Sequence, residues 1–300
     1  AFKKALEIIE SQKIDRVITT SPPHSTQLIG LRLKKKYPGI KWIADLRDPW
    51  TDIYYYEKFY PTCLSRKIDR AYEKSVLRSA DRIITVGKSL KEIFSSKVPG
   101  IDGKFEVVPN GYDEDDFKGY DSSDPEKFTI SYIGTLAGIY PVKGFLKALD
   151  RLAENGVDFR LKFTGVVSPK QKELIGFSAG ISNVEFITYS DHSTAVKNML
   201  RTTVLLLIIP DHESSGSIIT GKLFEYLASG KPVICLGPAE GDAAEIIKET
   251  GHGKTFDYDD SEAISEYLIS LSSTPEITEK VSPTIYSREN LVKKVIALLK

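Results

Sequence analysis

Cysteine is scarce in this sequence. The 2 cysteines, Cys63 and Cys235, stand far apart and form no metal-ligand spacing. That excludes a disulfide scaffold or a cysteine-based zinc site, and it fits a reducing compartment. Cys235 lies in an apolar run and reads as a small core residue. Net charge is missing too. The 41 basic and 41 acidic residues balance to +0, which argues against a general nucleic-acid binder. No apolar run approaches the ~20 residues that cross a bilayer. No His, Cys or Asp cluster has the spacing of a metal site, so no metal is expected. There is no internal repeat and no low-complexity tract. What remains is a chain of 300 residues, enough for two domains with separate cores.

Strand-like runs alternate with helical patterns, which predicts parallel α/β layers. In the first part, strands are expected at Arg16–Thr20, Lys41–Leu46, Arg82–Val86 and Phe105–Val108. Helices are expected at Phe2–Ile9, Thr26–Lys36, Leu64–Ser79 and Leu90–Ser96. Asn110-Gly111 reads as a turn, and the acidic, polar stretch 113–127 as a linker. The alternation then restarts. Strands fall at Phe128–Ile133, Asp158–Phe163, Val184–Ile187, Val204–Ile209 and Val233–Leu236. Helices fall at Phe145–Glu154, Ser193–Leu200, Gly221–Ser229, Ala243–Glu249, Ser261–Leu271 and Ser287–Leu299. Two such layers place a ligand cleft at facing strand ends.

The most informative segment runs from Thr220 to Ile234. It reads as a helix that starts on small residues, stops at Gly230 and leads straight into a buried strand. At Thr220, Gly221 and Lys222 the free backbone N–H groups, the positive dipole end and a lysine together favour an anion. Glu225, one turn on, is placed to accept hydrogen bonds from ribose hydroxyls. On these residues alone, a nucleotide-diphosphate site and an ordinary amphipathic helix with a solvated lysine stand side by side.

Four blocks in one order resemble a known family. They are Trp42 to Trp50 (WIADLRDPW), Val108 to Asp113 (VPNGYD), Ser131 to Leu136 with Lys143-Gly144, and the Thr220 segment itself. Together they are similar to the GT-B glycosyltransferases of the family-4-like group, the glycosyl transferases group 1. The resemblance implies an α/β fold of two Rossmann-like domains facing a cleft. The first, residues 1–112, is the acceptor side. The second, 128–285, binds the nucleotide-sugar, after the 113–127 linker. A C-terminal helix, 286–300, returns to the first domain. Because the chain starts inside a helical pattern at Ala1 and supplies about four strands before the hinge, the first domain is expected to be incomplete. The implied activity is transfer of a sugar from a nucleotide-sugar to a hydroxyl of a glycan or lipid-linked acceptor, in surface polysaccharide or lipid-linked glycan synthesis. The nucleotide-sugar is a substrate, so no cofactor is implied. Two other readings share these features: a nucleotide-sugar-binding module without turnover, and a GT-B-like nucleotide-sugar epimerase.

The resemblance assigns Gly134, Thr135, Lys143, Thr220, Gly221 and Lys222 to the donor diphosphate and Glu225 to its ribose. Gly165 and Tyr189 fall around the base. Two departures stand out. Thr135 occupies a place where the family most often has arginine, and Lys222 is positioned to supply that charge. The glutamate often paired with the ribose ligand would fall on Ser217, so Glu213 in the nearby Asp211–Ser217 loop is the candidate replacement, with a solvated loop acid as the other reading. The stereochemical outcome stays open.

On the acceptor side Arg47 offers a planar fork for an anion, and Asp48 can orient a hydroxyl or take its proton. An Asp/Arg pair that fixes the loop is expected alongside those roles. His24 is a minor acceptor-side candidate. Aromatic residues between Trp50 and Tyr60 suit either sugar stacking or a loop core. The basic run Leu31 to Lys36 suits either peripheral contact with an anionic membrane or plain helix capping. A cytoplasmic protein at the inner face of the membrane is the expected setting.

Overall fold

The computed structural model describes all residues except 121–124, 179, 182, 189 and 274–280. The chain divides into two compact units, one built from 1–110 and 289–300, the other from 111–288.

The first unit runs α1 (Phe2–Gln12), β1 (Arg16–Ser21), α2 (Gln27–Lys36), β2 (Lys41–Leu46), α3 (Cys63–Ser79), β3 (Arg82–Thr85), α4 (Lys88–Lys97) and β4 (Phe105–Val107). Its four strands are all parallel and lie in sequence order. Every residue of β2 from Trp42 to Leu46 is buried, as expected of a parallel strand covered on both faces. Trp42 anchors the core: its indole N–H donates to Thr19 Oγ1 at 2.8 Å. Gly30 on α2 has to lack a side chain, because a Cβ there would stand 2.3 Å from the Trp42 ring.

The second unit continues with β5 (Phe128–Ile133), α5 (Lys143–Glu154), β6 (Phe159–Thr164), α6 (Pro169–Gly176), β7 (Val184–Ile187), α7 (His192–Leu200) and β8 (Val204–Ile208). It ends with α8 (Gly221–Ala228), β9 (Val233–Leu236), α9 (Asp242–Thr250), β10 (Gly253–Phe256) and α10 (Ser261–Ser273). Its six parallel strands lie in the order β10-β9-β8-β5-β6-β7. That is the doubly wound arrangement, and its strand order reverses between β5 and β8, where such sheets open a crevice at the strand ends. Two apolar layers cover the sheet. Phe145, Leu149 and Leu268 lie on one face; Phe224, Leu227 and Ile247 lie on the other.

The last helix, α11 (Arg288–Leu299), lies on the first unit, where Leu291 packs with Ile43, Ile84 and Val108. The chain therefore leaves the first sheet near Asn110 and returns to it after Arg288. Two elements go beyond those expected from the sequence, α6 and β10, and the 113–127 stretch contains a short 3-10 turn at Glu114–Phe117.

Candidate functional site

The strand reversal in the second sheet places the ends of β5 and β8 side by side, and the candidate donor residues gather there. Gly134 leaves β5 with φ at 123°, a conformation open to glycine. A Cβ at Gly134 would sit 2.9 Å from Lys222 Nζ. Residues 88 positions apart in sequence thus meet, and glycine is required there both for its backbone and for the space it leaves. Gly165 repeats the device at the end of β6: its φ is also 123°, and a Cβ on it would stand 2.5 Å from the Gly134 carbonyl oxygen.

Lys222 is the centre of this group. Its ammonium lies over the Tyr132 ring, 4.4 Å from the centroid, and donates to the Tyr132 hydroxyl at 3.0 Å. That hydroxyl in turn donates to the Thr135 carbonyl at 2.8 Å. Among the described residues no carboxylate pairs with Lys222. Burial lowers its pKa from 10.5 to about 8, with Glu225 pulling weakly the other way. The cause is desolvation, which outweighs the attraction of Glu225.

Thr220 is the N-cap of α8, yet its side chain caps nothing; its Oγ1 is buried and has no hydrogen-bond partner among the described residues. Glu225 is half-buried on the same helix. Burial raises its carboxyl pKa, while His192, Arg288 and Lys222 act to lower it. His192 Nε2 pairs with Asp116 Oδ2 at 3.0 Å. Tyr226 completes the wall, its hydroxyl accepting the Ile133 N–H at 3.0 Å.

Other candidates lie elsewhere. Lys143 is exposed at the start of α5 and opens onto a hollow of about 310 Å³ shared with Tyr140, Lys170, Gln171 and Asp259. Its neighbour Gly144 is a packing residue, since a Cβ there would meet the Tyr258 carbonyl oxygen at 2.1 Å. Glu213 is exposed. Its loop is held by Ser215, whose Oγ accepts from His212 N at 2.7 Å and donates to the Pro210 carbonyl at 2.5 Å. Ser217, buried at the end of that loop, donates to the Ser214 carbonyl at 2.9 Å. Tyr189 lies outside the described residues.

In the first unit a second group forms where β1 and β2 end. Gln27 Nε2 lies within 3.1 Å of Thr19 O, Ser21 Oγ and Asp45 O and ties the two strand ends together. Arg47 is committed to the scaffold: Nε donates to Asp45 Oδ2 at 3.0 Å and a terminal nitrogen to Asn110 Oδ1 at 2.9 Å. Asp48 has a freer carboxyl, raised in pKa by burial and lowered by His24. His24 stacks on Trp50 at 5.3 Å and donates from Nε2 to the Asp48 carbonyl at 3.1 Å. The basic run on α2 is largely used internally. Lys34 binds Asp81 and the Ile40 carbonyl, and Lys36 pairs with Glu10.

Sequence reasoning gave no role to Tyr132, Tyr226, His192, Asp116 or Arg288. The two tyrosines sit in apolar runs that read as core. The others carried no local pattern and acquire their position near Glu225 through long-range folding.

The family model described as "Glycosyl transferases group 1" matches residues 113–288, and that described as "Glycosyltransferase Family 4" matches residues 1–116. No curated protein sequence matches the chain. Among solved structures, the chain is similar to the lipopolysaccharide outer core galactosyltransferase WaaB in its apo form, at 15% identity and TM-score 0.71, covering 99% of this chain and 78% of that one. Anabaena Alr3699/HepE in complex with UDP and glucose matches at 12% identity and TM-score 0.69, over 98% of this chain and 80% of that one. A glycosyltransferase from Rickettsia africae ESF-5 matches at 17% identity and TM-score 0.66, over 100% of this chain and 80% of that one. At these identities the structural likeness establishes the fold, an α/β GT-B fold with two parallel-sheet domains. The group 1 model covers more than half of the chain and accounts for the unit that carries Gly134, Lys222 and Glu225: the chain belongs to the glycosyl transferases group 1 family and is a transferase of that family.

Proposed function

We propose that this glycosyltransferase takes its sugar from a nucleoside-diphosphate sugar bound at the strand reversal of the second unit. The observation that carries this reading is the desolvated Lys222 ammonium beside Gly134, a cation without an ion-paired counter-charge among the described residues. A diphosphate supplies that charge. The Gly134 backbone allows close approach, and the first N–H groups of α8 point the helix dipole at the same anion. Thr220 Oγ1 gives a further unpaired polar atom at the helix start. Glu225, three residues along α8 from Lys222, accepts the ribose hydroxyls.

During transfer, negative charge grows on the departing diphosphate. Lys222 and the α8 N–H groups are fixed before the reaction, so they stabilise that charge without reorganising. On the acceptor side Asp48 is the candidate to orient or deprotonate the incoming hydroxyl. Its raised pKa moves its basicity toward that role. Arg47 acts by holding the loop rather than by touching substrate. The acceptor is a glycan or a lipid-linked saccharide. WaaB and HepE, whose printed descriptions are a lipopolysaccharide outer core galactosyltransferase and a complex with UDP and glucose, support surface-glycan chemistry and a uridine donor as the first choice.

Isothermal calorimetry with UDP and uridine tests the donor site. UDP should bind more tightly than uridine in the wild type, and Lys222→Met should remove most of the difference. Equal affinities for UDP and uridine in the wild type would overturn the assignment.

A further inference from the structure

The exposed face of α3 in the first unit is unlike the rest of the surface. Leu64, Ile68 and Tyr72 recur every four residues and so form one stripe along the helix. All three are exposed. Just before the helix, Phe59 and Tyr60 are exposed as well, with Tyr60 89% exposed and held at φ 49°. The helix is anchored from its other side by buried Val76 and Leu77.

The charges beside the stripe are one-sided. Lys67, Arg70, Lys74 and Arg78 fall together next to the apolar residues on the helical wheel, and each is exposed. None has an ion-pair partner among the described residues. The nearby acids are all engaged. Glu57 pairs with Arg66, Asp69 accepts the Tyr56 hydroxyl, and buried Glu73 is bound by Lys97 at 2.7 Å. In a chain whose overall charge is zero, this helix presents four unmatched cations along an exposed apolar and aromatic stripe.

We propose that this face of α3, with Phe59 and Tyr60, lies on an anionic lipid bilayer. The pattern is that of an interfacial helix: apolar and aromatic side chains enter the headgroup boundary while flanking lysines and arginines meet lipid phosphates. A second copy of the chain fits less well, because a two-fold contact would bring the same cationic rows face to face. No helix among the described residues is long and apolar enough to cross a membrane, so the contact is with the surface. The basic run on α2 does not compete for this role, since Lys34 and Lys36 are already paired. The face lies wholly on the first unit, so nucleotide binding by the second unit can fail while vesicle binding holds.

Co-sedimentation with vesicles of phosphatidylcholine, with and without phosphatidylglycerol, decides the matter. The wild type should bind the anionic vesicles and not the neutral ones, and added salt should weaken the binding. Changing Lys67, Arg70, Lys74 and Arg78 singly to glutamine should lower the partition coefficient by roughly fivefold for each cation removed. The variant Leu64→Ser/Ile68→Ser should also release the protein, with its circular dichroism unchanged because both residues are exposed. The control Lys35→Gln should bind as the wild type does. Equal partition to both vesicle types, indifference to the α3 changes, or concentration-dependent dimerisation abolished by Leu64→Ser/Ile68→Ser would overturn the proposal.

Discussion

Replacing Lys222 by methionine should stabilise the empty protein at neutral pH and weaken its hold on a nucleoside diphosphate. Burial lowers the lysine pKa from 10.5 to about 8. At about 1.4 kcal/mol per pH unit, a difference of that size sets a ceiling of about 3 kcal/mol. The folded-state value lies below the unfolded one, so the unfolded chain binds the extra proton across the window from about 8 to 10.5. Stability should therefore rise with pH through that window, and the full cost of the buried cation is present below it. Methionine keeps an unbranched apolar stem of similar length and leaves no large void. It gives up the hydrogen bond to Tyr132, a loss of about 1 kcal/mol. A net gain of about 1–2 kcal/mol remains at neutral pH.

Ligand binding should respond in the opposite sense. A diphosphate beside Nζ restores the proton, so wild-type affinity should fall as pH rises above about 8, by up to tenfold per unit. In Lys222→Met that slope should vanish, while uridine binds the variant and the wild type alike. Thermal melts at neutral pH and at about pH 10, paired with calorimetry of UDP, read both effects. A variant that melts lower at neutral pH, or a wild type whose UDP affinity is flat over this range, would refute the reasoning.

Three further outcomes follow from the same geometry. Glu225→Ala should weaken a nucleoside diphosphate by about 1.5–3 kcal/mol, and a dideoxyribose analogue should lose affinity for the wild type but not for the variant in the same calorimetric titration. Gly134→Ala places a Cβ 2.9 Å from the Lys222 ammonium at φ 123°; diphosphate binding should be lost, with about 1–3 kcal/mol of destabilisation read from urea melts. Glu73→Ala leaves Lys97 with Asp52 as its sole carboxylate partner among the described residues and should cost about 3 kcal/mol in urea unfolding, whereas Glu73→Gln, which retains an acceptor, should cost clearly less.

Much of the architecture was legible in the sequence because a doubly covered parallel strand is a continuous apolar run. Lys41–Leu46, Phe128–Ile133 and Val233–Leu236 are strands with the bounds expected of them. β10 escaped notice because Gly253-Lys254-Thr255-Phe256 has little of that character and becomes a strand by pairing with β9. α6 is short and polar, though its start carries the signature of Ser168 capping ahead of Pro169, with Ser168 Oγ accepting from Gln171 N. At the site, the glycines and the lysine of α8 were visible as local patterns. Their meeting was not, because the 88 positions that separate Gly134 and Lys222 are bridged by strand order and not by spacing. Arg47 was expected both to offer an anion fork and to tie its loop, and the bonds to Asp45 and Asn110 engage it as a tie.

Lys97 and Lys222 are both largely buried, and their surroundings point to different jobs. Lys97 reaches Glu73 and Asp52 and donates to Thr51 Oγ1 at 3.1 Å. Its charge is matched inside the fold, and it pins the loop that starts just after Asp48. Lys222 has a tyrosine hydroxyl, an aromatic face and, among the described residues, no paired carboxylate. A cation–π contact and one neutral hydrogen bond recover only part of the hydration an ammonium loses. A fold under selection for stability alone would remove that charge or pair it, as it does at Lys97. Keeping it unpaired beside a glycine that leaves it room is reasonable if the missing partner is an anion that arrives with the substrate. The stability that Lys222→Met should gain and the affinity it should lose are therefore two readings of one interaction.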